Sequence, residues 1–265
     1  MTTATVPRTL FATVRYEAVM AGRARVLWWA LVPLTALAVL LATTSPNVVG
    51  SAEPVARVAN TAILFAMLCT LGVAIGLTDR FVGHRRSGLT DLLDATAAGG
   101  TVRLVGALLG ALAVAMAVPV GAFLVLVVIT ALSAGSGAVL GAGVVAVVTI
   151  LLPAGLVLST FTALLGVLVP PAVARVLTVL AWMWATVLSP ALVPIPTITG
   201  TVLSPLGHYP AAAWLHESQA AATYGLDGAL RPAVTTGSAL LALLVALAAS
   251  AVFLALTRIR LALAR

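Results

Sequence analysis

The chain is a succession of long, charge-free apolar runs separated by short polar breaks. Runs at 26–44, 58–78, 104–132, 138–169, 176–192 and 233–256 predict six helices. A helix needs about 20 apolar residues to cross a hydrocarbon core about 30 Å thick, and several runs reach or exceed that. Between Leu104 and Ala174 no charge occurs over 71 residues. At a rise of ~1.5 Å per residue that is too long for one crossing and right for two. Ser133-Ala134-Gly135-Ser136-Gly137 reads as the turn between them. The third and fourth runs exceed the minimum length and contain Pro119 and Pro153, which implies tilt or kinking. Pro33 lies in the first run, and Ser45 to Pro54 is a short polar turn. Pro170-Pro171 closes the fourth run, and the fifth starts after Arg175.

Three stretches lie outside the runs. Over residues 8–24, projection at 100° per residue gathers Leu10, Phe11, Val14, Ala18 and Ala21 on one face and Arg8, Arg15 and Arg23 on another. That pattern predicts an interfacial helix, apolar face in lipid and arginines at the headgroups. Segment 194–232 is mixed and broken by Pro194, Pro196 and Pro205, and predicts short helices at the outer surface. The longest polar interruption is 79–103, between the second and third runs. Within it Thr90 can cap a short helix with Asp91 and Asp94 in its first turn, where acids suit the helix dipole. Leu89, Leu92, Leu93 and Ala97 stand at i, i+3, i+4 and i+8, one apolar ridge. Arg85 and Arg86 flank it, and Gly99-Gly100 ends it. Such a helix lies flat on lipid or fits a groove in a partner protein.

Composition agrees with the pattern. Only 8% of residues are charged and mean hydropathy is +1.19, against about 25% charged residues in a soluble domain. The ~10-residue alternating segments of a membrane β-barrel are absent. The class is an all-α polytopic membrane protein. Charge then orients it. Twelve of the fourteen arginines fall on the side of the N-terminal segment, 79–103, Arg175 and the C-terminal tail, and only Arg57 and Arg231 on the other. The positive-inside rule puts both termini and 79–103 in the cytoplasm of a multi-pass protein of the cell's inner (plasma) membrane. Arginines dispersed at span ends serve orientation, and nucleic acid is not an expected partner. The N-terminal stretch carries charges throughout and lacks the apolar core of a signal peptide.

Candidate chemistry is sparse. All fourteen basic residues are arginine, whereas a P-loop needs a lysine to reach the β and γ phosphates. The chain is therefore not expected to be an enzyme, and any ATP hydrolysis that drives it belongs to another polypeptide. The predicted spans hold no Asp, Glu, His, Lys or Arg, which argues against an intramembrane protease or a proton-coupled carrier. His208, His216, Glu217 and Asp227 of the outer segment match no zinc-ligand spacing, and no metal is expected. They read as outer-surface polar groups beside the belt aromatics Tyr209, Trp214 and Tyr224. Thr149, Ser159, Thr160, Thr162 and Thr178 read as carbonyl-satisfying or helix-bridging groups, and Gly141, Gly143, Gly155 and Gly166 as close-packing positions. Trp182 and Trp184 lie deeper in the fifth run than a cytoplasmic belt residue, and are candidates for an apolar substrate path or the outer belt.

In outline, the chain resembles the permease subunits of ABC type-2 exporters: an amphipathic N-terminal helix, six spans, a charged helix between spans two and three, and an interrupted segment before span six. In residues the resemblance rests on Asp79-Arg80, Gly88-Leu89-Thr90-Asp91-Leu92-Leu93, Ala95-Thr96-Ala97 and Arg103 opening the third span. The family usually has Glu after span two and Thr-Pro after the leucines; here Asp79 and Thr96-Ala97 stand there. The resemblance implies that Leu89–Ala97 is a cytoplasmic coupling helix seated on a separate ABC ATPase subunit, which holds ATP and Mg. It also implies pairing with a second permease protomer, identical or not, and export of a hydrophobic or amphipathic substrate. The alternative is a non-transporting membrane scaffold or sensor that anchors a cytoplasmic partner through the same stretch.

Overall fold

A computed structural model describes residues 5–78, 100–188, 197–217 and 230–263, with side chains from Arg8 onward. Among them the secondary structure is entirely helical: α1 Thr5–Gly22, α2 Arg25–Thr44, α3 Pro46–Val49, α4 Pro54–Leu77, α5 Gly100–Ala134, α6 Ala138–Leu168, α7 Pro171–Thr186, α8 His208–Leu215 and α9 Thr236–Leu263. Five of these (α2, α4, α5, α6 and α9) are long and apolar enough to cross a membrane. The polar stretch 79–99, with every residue of the expected coupling helix, lies outside the described residues.

The predicted helix bounds hold within a few residues for α2, α4, α5 and α6 and shift elsewhere for identifiable reasons. α7 begins at Pro171, because a proline at the first helical position loses no hydrogen bond and has φ already suited to a helix. It ends at Thr186, so this fifth helix is 16 residues long, roughly 24 Å, instead of running to Leu192. α9 starts at Thr236, after a reciprocal cap. The amide of Thr235 donates to Ser238 Oγ at 2.9 Å and the amide of Ser238 to Thr235 Oγ1 at 3.1 Å. The helix then continues to Leu263 through Arg258 and Arg260. Pro153 has no N–H for the carbonyl of Thr149. The preceding turn widens into a π turn, Val147–Leu151, closed by the amide of Leu152 donating to Val147 O.

α4 is the hub. It packs on α2, α5, α6, α7 and α8, and its buried residues, from Val58 through Phe65 and Cys69 to Leu77, cover more than half of its circumference. Phe65 meets Phe123 of α5 edge to face, centroids 5.8 Å apart. α9 sits at the periphery, on α6 and α8. Two Gly-x-x-x-Gly pairs set the closest approaches. Gly72 and Gly76 of α4 face α2, where an added Cβ would stand 3.2 Å from Ala30 O and 2.6 Å from Leu27 Cδ1. Gly106 and Gly110 of α5 face α1. Lipid offers no hydrophobic drive for helix association, so such close packing at small residues, with hydrogen bonds between helices, has to hold the bundle together.

One end of the bundle is tied by polar contacts. Arg57 donates to the carbonyls of Val49 and Ser51 at 3.0 and 3.4 Å, and Asn60 to Ser51 Oγ and Asn47 O at 3.0 and 3.3 Å. These fix α3 against the start of α4. His216, just past α8, lies 3.2 Å from Glu53 of the same loop, an ion pair when the imidazole is protonated. The α2–α4 loop and the end of α8 therefore share a side.

Candidate functional site

A half-open cavity of about 220 Å³ lies between α6, α7, α9 and the non-helical stretch before α8. α7 and α9 both pack on α6 yet hardly touch one another, and the cavity fills the gap between them. Phe161 of α6 and Phe253 of α9, tilted rings 5.3 Å apart, form one wall. Trp182, Trp184 and Ala185 of α7 form another, with Ala246 and Ala249 of α9 opposite, and Ile198, Leu203 and Pro205 along one edge. Every described lining residue is apolar. Trp182 is buried, and its indole N–H donates to Met67 O of α4 at 2.9 Å. The polar atom of that ring is thus spent on the hub helix, and the cavity meets hydrocarbon.

The two tryptophans singled out from sequence therefore line one cavity. The N-terminal helix forms too, with Arg8, Arg15 and Arg23 exposed, but its partner differs from the sequence expectation. Leu10, Val14, Ala18 and Ala21 turn toward α5, not outward; Phe11 alone of that stripe stays mostly exposed, at 69%. An added Cβ on Gly106 would stand 2.8 Å from Thr13 Cγ2. One on Gly110 would collide with Val14 O and stand 2.9 Å from Glu17 Cβ. Glu17, which the sequence reading passed over, is 4% exposed in this contact. Trp28 donates its indole N–H to Gly22 O at 2.7 Å and closes the end of α1, while Trp29 is 79% exposed.

The outer polar residues do not gather. His208 and Glu217 are buried and His216 is exposed toward Glu53, while Asp227 and Tyr224 lie outside the described residues. Among the described residues no group of three or more His, Cys, Asp or Glu could hold a metal. Burial holds the His208 imidazole neutral, its pKa pushed down to about 4. Tyr209 donates to Pro232 O at 3.1 Å, which ties α8 to the approach of α9; burial raises the phenol, and Arg231 opposes that shift.

Of the hydroxyl residues inside the helices, Thr149, Ser159, Thr160 and Thr178 bond carbonyls three or four residues back in their own helices. The Thr162 hydroxyl is buried with no hydrogen-bond partner among the described residues. Gly143 meets Val127 and Gly155 meets Met116, while Gly141 faces open space. Backbone of another helix stands against Gly72, Gly76, Gly110 and Gly207, whereas Gly106 meets the side chains of Thr13 and Leu10; the four-residue spacing of Gly72/Gly76 and Gly106/Gly110 was the signal in the sequence. In comparison with known proteins, no family model matches the chain and no curated protein shows a significant match.

Proposed function

We propose that the chain is the membrane subunit of an ATP-driven exporter of the ABC type-2 kind, working as a dimer with a separate cytoplasmic ATPase. In this reading α7 is a short fifth crossing between α6 and α9. Both termini and the 79–99 segment are cytoplasmic, and the end that carries α3 and His216 is external. The arginine distribution supports that orientation. The observation that carries the coupling role is connectivity: the polar segment with the Leu89–Ala97 ridge joins the hub helix α4 directly to α5, the helix that holds α1. A displacement applied there reaches the helix on which most of the bundle packs, and no chemistry is asked of any residue in this chain.

The test is co-purification. Tagged chain extracted from its own membranes in mild detergent should carry a Mg-dependent ATPase, and the Leu92→Asp/Leu93→Asp double variant should lose it at equal chain yield. Undiminished ATPase with the double variant would sink the coupling assignment. An associated ATPase that drives no export from reconstituted vesicles would favour the scaffold reading.

A further inference from the structure

We propose that the cavity between α6, α7 and α9 binds a single hydrocarbon chain, that of a fatty-acid-like amphiphile entering sideways from the bilayer between α7 and α9. The proposal stands apart from the export reading, because it concerns this chain alone and is measured without an ATPase. Three features select the occupant. The first is chemistry: the described lining is entirely apolar, and its one deeply buried ring with an N–H, Trp182, donates that proton away to Met67 O. Water needs two to four polar partners to stay in such a space, and a polar ligand would lose its hydrogen bonds there.

The second is size. Apolar cavities near 150 Å³ stay dry and accept a guest as small as benzene, whereas pockets for whole drug-sized ligands run from about 300 Å³ upward. At about 220 Å³ the cavity falls between the two. It takes part of one tail and leaves the rest of the molecule outside. The third is access. α7 and α9 are held by α6 and barely by each other, and the cavity between them is half open, so a tail entering there need not part a tightly packed helix pair.

The experiment uses the purified full chain in nanodiscs with two probes: palmitic acid bearing a diazirine near its terminal methyl, and a two-chain phosphatidylcholine with the same group on one tail. Cross-linked residues are read by mass spectrometry. The fatty-acid probe should label Trp184 and Phe253, and excess plain palmitate should compete it away. Ala249→Phe, and independently Ala185→Phe, should cut that labelling about tenfold, equivalent to ~1.4 kcal/mol. Labelling of the exposed Leu244 and Leu247 on α9 should not change. The wild-type competition stands even where a variant folds poorly. Labelling that palmitate does not compete, or that is equal at Leu244 and Phe253, would mean annular lipid only and overturn the site. Competed labelling by the phospholipid alone would overturn the single-chain occupant.

Discussion

The sharpest structural prediction concerns Gly110→Ala at the α1–α5 contact. A Cβ there lands on the carbonyl of Val14, 2.9 Å from Glu17 Cβ and 3.0 Å from the amide nitrogen of Ala18. Two of the three obstacles are backbone atoms of a helix, which cannot swing aside. Optimal carbon contacts lie near 3.5–4.0 Å, so α1 must withdraw by roughly 0.5–1 Å, and a gap of that size forfeits a quarter to a half of each contact's attraction along the face. Overpacking of this kind costs about 1–3 kcal/mol, offset in part by the ~0.5–1 kcal/mol that alanine gains over glycine in a helix. Gly121→Ala is the matched control: same helix, nothing within 4 Å, helix gain only. The two variants should differ by about 2 kcal/mol in thermal stability in detergent, with Gly110→Ala the weaker. Ala21 of α1 is fully buried, so in an Ala21→Cys background Gly110→Ala should also speed maleimide labelling, while the buried Cys69 stays unreactive. Equal melting temperatures and equal labelling rates for the two glycine variants would refute the account of α1 as a helix clamped on α5.

Gly207→Ala should be worse than Gly135→Ala. Both glycines have positive φ (66° and 61°), costing an L-residue roughly 1–2 kcal/mol, but only Gly207 also has Ile150 Cα and Thr149 O within 3.2 Å of the new Cβ. Melting temperatures of the pair measure how firmly the α8 entry packs on the π turn. For His208 the sign follows from burial. The folded imidazole protonates only near pH 4, the opened one near 6.5. Packing of α8 is therefore at full strength above about pH 7 and weakens as pH falls from 6.5 toward 4. At ~1.36 kcal/mol per unit the loss is about 3 kcal/mol. Hydrogen exchange across 197–217 at pH 4.5 and 7.5 should reveal it, and His208→Gln should abolish that pH dependence.

The sequence by itself determined the class and most of the helix bounds. Within hydrocarbon every backbone group must be satisfied inside its own helix, so run length and Gly/Pro breaks such as Ser133–Gly137 decide each helix almost independently of its neighbours. It could not decide which helix faces which. Runs that are apolar on all sides carry no core-facing stripe, and contacts follow from shape alone: Gly72 and Gly76 against α2, Gly106 and Gly110 against α1. The stripe on α1 was legible, but periodicity shows only that a face is apolar, and packing against Gly106 and Gly110 made that face meet protein. The α7 start, the π turn before Pro153 and the Thr235–Ser238 cap were written in single residues whose effect depends on local hydrogen bonds. Only tertiary structure put Trp182 and Trp184 into one cavity with Phe161 and Phe253, because those rings come from three helices that converge without filling the space between them.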